Sequence, residues 1–277
     1  MTIRQRLKAA AEELRAAGVP DPEYDSAMLL ARVTGKPHLA LRLAEEELGP
    51  EAERRFSALM ARRIRREPLQ YLLGSAVFCG MEFRVGPGVL IPRPETELLA
   101  EWALSLLSGR TRPRILDLCC GSGCLGLTMQ KRLPEARVTL TDLSPEALRI
   151  TEENRARLGL ECRILEGDLF APVAGEQFEC ILSNPPYIPS GECGGLQAEV
   201  LREPRMALDG GADGLDFYRR ITAEAPGHLT PGGLLMMEAG FGQAAEIARL
   251  AVESGAARTE IRRDDAGLER MVLAEYA

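Results

Sequence analysis

The sequence predicts an α/β fold, a doubly wound and mostly parallel sheet preceded by a small helical domain. Three observations carry this expectation. Beyond Arg112, apolar strand-like runs alternate with helical stretches, the pattern of a parallel sheet covered by helices on both faces. The first 75 residues instead repeat apolar side chains at the 3.6-residue helical period. Finally, 277 residues exceed the roughly 100–200 of one average domain, so a catalytic domain with a smaller companion is expected.

Taken in order, Thr2 and Gln5 have the spacing of a capping box, Ile3, Leu7, Ala11 and Leu14 share a helical face, and Gly18 closes the helix. Asp21 before Pro22 opens a second helix, with Tyr24, Ala27, Met28 and Ala31 as its stripe and Gly35 as its stop. A third helix is expected from about Glu51 to Arg66, carrying Phe56, Leu59, Met60 and Ile64. Between Val77 and Ile91, short apolar runs broken by Gly80 and by Gly86-Pro87-Gly88 suit a β-hairpin connector. Pro92 and Pro94 end any strand, and Pro94 suits the first turn of a helix facing inward through Leu98, Leu99, Trp102 and Leu106.

Strands are then expected at Ile115–Leu118, Val138–Thr141, Arg163–Leu165, Cys180–Leu182 and Leu234–Met237. Glu260–Arg263 and Met271–Leu273 flank the turn Asp264-Asp265-Ala266-Gly267, which makes the last of seven strands antiparallel. The expected division is a helical domain at 1–75, a hairpin linker at 76–92 and a catalytic domain at 93–277.

Composition narrows the function. With 45% hydrophobic and 27% charged residues and no apolar run near the ~20 needed to span a bilayer, no membrane segment is expected. Met1 to Arg15 lacks the continuous apolar stretch of a secretory signal, so a cytoplasmic location is expected. A net charge of −7 and a pI near 5.2 argue against a protein that grips duplex DNA. Six arginines (54, 55, 62, 63, 65 and 66) make a local positive stripe, expected to be a solvated helix face, with docking to an RNA-like or acidic partner as the alternative. The seven cysteines include Cys119, Cys120 and Cys124 without paired C-x-x-C spacing, so reduced, buried thiols and no metal are expected. His38 and His228 lack partners at ligand spacing, which leaves no histidine base or metal site.

Ile115 to Gly123 reads as a buried strand running into a glycine-rich turn before a helix, where a doubly wound sheet binds ligands. Gly121, Gly123 and Gly126 also satisfy the dinucleotide spacing G-x-G-x-x-G, so two readings compete. S-adenosylmethionine carries a sulfonium and an amino-acid end rather than phosphates, and acids favour it. Asp117 sits at the strand tip, and Asp142 closes the next strand 25 residues later, where a carboxylate can accept both ribose hydroxyls. Asp168 follows the third strand, placed to meet an adenine amine. For each acid the alternative is a helix N-cap, most plausibly Asp142 before Ser144-Pro145. Acids at successive strand ends favour an adenosine-bearing cofactor held by Asp117, Cys119, Cys120, Gly121, Ser122, Gly123, Asp142, Asp168 and Leu169, with Asn184 beside it.

Ser183-Asn184-Pro185-Pro186-Tyr187 directly follows the fourth strand. An NH₂ group on an sp² carbon is a poor nucleophile that must be held in line with its electrophile. The Asn184 side-chain oxygen and the Pro185 carbonyl suit its two N–H bonds, stabilising the charge that grows on nitrogen. Pro185 and Pro186 stiffen the loop, and the Tyr187 ring suits stacking on a flat acceptor. The alternative is a plain strand-ending turn. The planar nitrogen could belong to adenine or to glutamine, and an oxidoreductase or a non-catalytic binding protein on the same fold are further rivals.

These residues resemble the class I methyltransferases, a Rossmann-like family whose first motif is usually D-x-G-x-G-x-G; here Cys119 stands at the first glycine position. Three further stretches resemble one branch: Glu67 to Gly74, Ile91 to Glu97, and Glu203 to Leu215, the last a lid after the catalytic loop. Together with the helical N-terminal domain, the chain resembles the release factor glutamine methyltransferases, the PrmC/HemK family. That resemblance implies a methyl donor, S-adenosyl-L-methionine, and an acceptor glutamine N5 in the Gly-Gly-Gln loop of translation release factors, gripped by Asn184, Pro185, Pro186 and Tyr187. It also implies that Leu169 lines the adenine side, where some members carry an aromatic, and that the helical domain holds the release factor. The alternatives left standing are a ribosomal-protein glutamine methyltransferase and an N6-adenine methyltransferase.

Overall fold

The structure is a computed structural model describing residues 1–277. Residues 1–75 with residues 197–202 form one compact unit, and residues 76–196 with 203–277 form a second.

The first unit holds α1 (Ile3–Ala16), α2 (Pro22–Thr34), α3 (His38–Leu41), α4 (Pro50–Ile64) and α5 (Leu69–Leu73). The capping box forms: Gln5 N–H donates to Thr2 Oγ1 at 3.3 Å and Thr2 N–H to Gln5 Oε1 at 3.0 Å. On α2 the expected stripe is displaced. Tyr24 is exposed and Met28 and Ala31 only half-buried, while Leu29, Leu30 and Val33 join the core. The reason is that α2 packs against α1, α3, α4 and α5, so its buried surface is wider than one stripe.

The arginine stripe is not one solvated face. Arg63 is buried, and its guanidinium meets Asp25 Oδ2 at 2.6 Å, Glu199 at 2.8 Å and the Glu67 carbonyl at 3.2 Å. Arg66 grips the same Glu199 through two bonds of 2.6 Å. Arg62 pairs with Glu67 and Arg54 with Glu51, leaving Arg55 and Arg65 exposed. Burial works to raise Glu199, but the hydrogen bonds from Arg66 and Arg63 outweigh it and hold the carboxyl down at about 2. Ile64, expected in the core, is exposed in Arg63's place.

Removing one member of a buried pair strands the other, so Arg63→Ala is expected to destabilise the protein by about 3 kcal/mol. Burial already raises its partner Asp25 while the guanidinium is there to oppose it. The exposed Arg62→Ala should cost less than about 1 kcal/mol. Urea midpoints of the two variants check the ranking; equal shifts would contradict it.

The two-stranded hairpin β1 (Ser75–Phe78) and β2 (Met81–Arg84) follows, all of it but Ser75 in the second unit. Val89 to Ile91 pairs with no strand, because the Ile91 N–H goes instead to the buried carboxylate of Glu203 at 2.9 Å. After α6 (Pro94–Leu107) come β3 (Arg114–Leu118), α7 (Cys124–Arg132), β4 (Arg137–Asp142), α8 (Pro145–Leu158), β5 (Arg163–Glu166) and β6 (Phe178–Ser183). The chain ends with α9 (Asp216–Glu224), β7 (Leu229–Glu238), α10 (Ala244–Glu253), β8 (Ala256–Arg263) and β9 (Glu269–Tyr276). The inward face of α6 is Leu99, Ala100, Trp102, Ala103 and Leu107, rotated from the expected stripe so that Leu106 is exposed.

The seven strands order as β5-β4-β3-β6-β7-β9-β8, and β9 alone runs against the rest. The mostly parallel seven-stranded sheet with an antiparallel final strand is therefore as expected. Alternate strand residues feed two cores: Ile115, Leu140, Leu182 and Met236 with Leu99 and Trp102, and Leu116, Leu118, Ile181, Leu235 and Met237 with Tyr218 and Ile247. The connections reverse direction between β3 and β6, and a doubly wound sheet opens a crevice beyond the strand ends at that point.

Candidate active site

The loop after β3 forms one wall of that crevice. Asp117 is buried, and its Oδ2 accepts the Gly126 N–H from α7 at 2.7 Å. A Cβ at Gly126 would lie 2.8 Å from that oxygen, so only glycine lets the acid reach the helix. Gly121 N–H donates to Asp142 Oδ2 at 2.8 Å, and Asp142 Oδ1 accepts the Ser144 N–H at 2.9 Å. The helix cap is Ser144, whose hydroxyl accepts the Ala147 N–H at 3.2 Å, so Asp142 binds back onto the glycine loop instead. Thr151 completes the loop's support by donating to the Gly121 carbonyl at 2.8 Å.

Two non-glycine residues here hold left-handed backbones, Cys119 at φ 58° and Leu169 at φ 47°. Such a backbone costs an L-residue roughly 1–2 kcal/mol, so the motif's missing glycine is replaced at Cys119 without a change of backbone region. Burial pushes the thiols of Cys119, Cys120 and Cys124 far upward, which leaves them neutral and unreactive, and all the cysteines are unpaired.

A cavity of about 300 Å³ opens beside this loop. It is lined by Asp117, Cys119, Cys120, Gly121 and Ser122, by Asp142, by Asp168 and Leu169, and by Asn184 and Pro186. Gly123 is the exception among the residues expected to hold a cofactor. Its left-handed turn faces inward, where a Cβ would meet Thr151 at 2.7 Å. Burial raises both acids, Asp117 to about 7 and Asp142 upward from its ordinary value against the hydrogen bonds it accepts from backbone N–H groups. Asp168 differs: half-exposed at the rim, it is bridged by Arg220 at 2.6 Å.

The tetrapeptide leaves β6 on the other side. Ser183 Oγ ties its root to the Leu118 carbonyl at 3.0 Å. The Asn184 amide nitrogen donates to Thr96 Oγ1 at 3.0 Å, and its Oδ1 is buried with no hydrogen-bond partner. Pro185 and Tyr187 do not line the cavity. The Tyr187 hydroxyl is turned to Glu238 Oε1 at 3.4 Å, and its carbonyl accepts from Gln243 Nε2 at 3.0 Å. Behind it, Ile188 N–H donates to the Leu208 carbonyl at 2.9 Å, and Gly210 N–H to the Ile188 carbonyl at 2.8 Å. A Cβ at Gly214 would sit 2.3 Å from the Tyr187 carbonyl oxygen, which makes this packing glycine-dependent.

Residue-by-residue reasoning did not assign several cavity residues: Arg93 and Thr96 at the start of α6, Met206 and Asp209 after the tetrapeptide, and Phe217 on α9. The stretches 91–97 and 203–215 carry part of the family resemblance; nothing in the pattern around Phe217 marks it. Both histidines lie elsewhere, His38 edge-on to Tyr24 at 6.2 Å and His228 stacked on Phe170 at 4.6 Å.

Chemically the arrangement suits a cationic, adenosine-bearing ligand rather than a dinucleotide. The acid at the strand tip opposes a pyrophosphate and attracts a positive charge. On the far wall a buried, unsatisfied carbonyl waits for a donor, and such a group costs ~1–3 kcal/mol until it finds one.

Comparison with known proteins gives a consistent result. Residues 95–212 match the methyltransferase small domain family, and residues 5–74 match the PrmC N-terminal domain. The release factor glutamine methyltransferase of Moorella thermoacetica is 44% identical over 99% of this chain and 98% of its own length. That of Geobacter sulfurreducens is 41% identical over 98% and 95%, and that of Deinococcus radiodurans 41% over 100% and 99%. Among solved structures, a methyltransferase from Pyrococcus furiosus aligns with a TM-score of 0.57 at 19% identity, covering 78% of this chain and 98% of that one. A T. thermophilus 16S rRNA N2 G1207 methyltransferase in complex with AdoMet and guanosine aligns at 0.55 with 20% identity, covering 73% and 50%. These two likenesses speak to the fold alone.

Proposed function

Since the chain belongs to the release factor glutamine methyltransferase family, we propose that it methylates the side-chain amide nitrogen (N5) of the glutamine in the Gly-Gly-Gln loop of translation release factors, using S-adenosyl-L-methionine. The observation that carries this reading is the buried, partnerless Oδ1 of Asn184 on a cavity whose opposite wall is acidic. S-adenosyl-L-methionine supplies an electrophilic methyl on its sulfonium. Asn184 Oδ1 and the Pro185 carbonyl accept the two N–H bonds of the glutamine amide, holding its nitrogen in line and stabilising the positive charge that develops there. Pro186 and Tyr187 keep the acceptor plane in place. Asp117 faces the cofactor's ammonium, Asp142 its ribose, and Asp168 and Leu169 its adenine, while residues 119–122 bring the backbone close. No base is required, because alkylation makes the remaining N–H acidic enough for water to remove its proton.

No helix is long and apolar enough to cross a membrane. We assign the enzyme to the cytoplasm, where release factors work. Incubation with labelled S-adenosyl-L-methionine, purified release factor and ribosomal proteins in parallel, followed by peptide mass spectrometry, tests the substrate. A methyl on the loop glutamine is expected; label on ribosomal protein or nucleic acid with an unmodified loop would overturn the assignment.

The Asp117 assignment predicts a pH dependence. Burial pushes the carboxyl up to about 7 in the protein alone. An adjacent ammonium favours its charged form, so binding expels a proton whenever the free protein holds one. Below pH 7 the affinity for S-adenosyl-L-methionine should therefore weaken about tenfold per unit, and above pH 7 it should level off. Calorimetry between pH 5.5 and 8.5, in buffers of differing ionisation enthalpy, reads both affinity and proton release. A flat profile would remove Asp117 from this role.

A further inference from the structure

Glu238 closes β7 and is buried, and both of its carboxylate oxygens are engaged. Thr96 Oγ1 donates to Oε2 at 2.5 Å and the Tyr187 hydroxyl to Oε1 at 3.4 Å, while Tyr218 steadies the backbone by donating to the Glu238 carbonyl at 2.7 Å. Thr96, in the first turn of α6, has one hydroxyl proton. Committed to Glu238, it leaves the threonine oxygen able only to accept, and what it accepts is the Asn184 amide N–H at 3.0 Å. The nitrogen end of Asn184 is therefore turned toward Thr96, which leaves its buried Oδ1 without a partner.

We propose that Thr96 and Glu238 are positioning residues that set the direction of this hydrogen-bond chain and thereby aim the Asn184 carbonyl at the acceptor amide. The proposal rests on the glutamine-methylation reading above. A side-chain amide has nearly the same shape when rotated by half a turn, so packing alone cannot tell its oxygen from its nitrogen. The rotated form would present N–H to the N–H of the substrate, a repulsive contact. Burial raises the Glu238 carboxyl to about 7, and above that pH it is ionised, only accepts, and removes the ambiguity two bonds away. The same carboxylate also takes the Tyr187 hydroxyl, so both ends of the tetrapeptide are referred to one point on β7.

The test compares Thr96→Val, which keeps the size and loses the hydroxyl, with Thr96→Ser, which keeps the hydroxyl. The full-length protein is assayed with S-adenosyl-L-methionine and release factor, alongside calorimetric cofactor affinity and thermal midpoint. Thr96→Val is expected to lower kcat by about 10–100-fold with cofactor affinity and release-factor KM within about threefold of wild type, and Thr96→Ser to recover most of kcat. A Thr96→Val kcat within about twofold of wild type, a Thr96→Ser as slow as Thr96→Val, or a loss confined to cofactor affinity would overturn the proposal. If Thr96→Val does not fold, Glu238→Gln reads the same device, because its amide can donate to Thr96 and reverse the chain. Reduced kcat at unchanged cofactor affinity is expected, and wild-type kcat overturns it. A wild-type protein that leaves release factor unmodified sinks the substrate reading and this proposal with it. An active wild type, a crippled Asn184→Ala and a fully active Thr96→Val sink the positioning role alone.

Discussion

Replacing Asn184 by alanine is expected to slow methyl transfer to release factor by about 10²–10³-fold while S-adenosyl-L-methionine affinity changes only a few-fold. The magnitude is that of losing one pre-aimed polar group that meets charge as it develops in the transition state. The pre-aiming is visible in the structure: Oδ1 is buried and unpartnered, and the nitrogen end is tied to Thr96. The small effect on affinity follows from the other supports proposed for the cofactor, the glycine loop after β3 and Asp142 at the end of β4, which line the same cavity. Single-turnover rates at saturating cofactor, with affinity measured separately, distinguish the two quantities. A variant that retained more than about a tenth of the wild-type rate would move the acceptor role away from Asn184.

Asp142→Ala should show the opposite signature, an S-adenosyl-L-methionine affinity about 100-fold weaker and a smaller effect on the rate once the cofactor is bound. The carboxylate accepts the Gly121 and Ser144 N–H groups, so its removal strands two donors and frees the loop that approaches the cofactor. It also removes the acceptor assigned to the ribose hydroxyls. Hydrogen bonds to a charged group are worth about 1.5–3 kcal/mol each, and the loss of one or two of that size sets the expected scale. Asp142→Asn keeps one acceptor oxygen and should lie between wild type and alanine. Calorimetric titration checks the series; an alanine variant that binds within about threefold of wild type would assign the ribose contact elsewhere.

How far the sequence revealed this molecule depends on which interactions are local. β3, β4, β6 and β7 are buried apolar runs bounded by acids, glycine or proline, and their positions follow from composition over a few residues. The glycine loop and the tetrapeptide were equally legible, because their residue types fit backbone demands that few other residues meet. Nonlocal geometry was not. The buried face of α2 depends on four packed helices, and Arg63 is buried because Asp25 and Glu199, 38 residues before and 136 after it, converge on it. Thr96 reads as an ordinary first-turn threonine until β7 brings Glu238 against it. The Tyr187 hydroxyl finds that same carboxylate, a partner 51 residues away that no local pattern marks. Gly123 matched a motif position, yet its role is to admit Thr151 and Leu127, which no local pattern shows.

The placement of β9 has a consequence for how such a chain fails. It is an interior strand, flanked by β7 and β8, and the Ala239 N–H next to Glu238 donates to the Arg270 carbonyl at 2.7 Å. A nonsense codon or a proteolytic cut before residue 269 would strip β8 of its only strand partner and leave β7 with an open, aggregation-prone edge. The carboxylate bonded to Tyr187, 51 residues upstream of it, would lose its footing at the same time. An enzyme proposed to serve the end of translation thus tolerates no early end to its own.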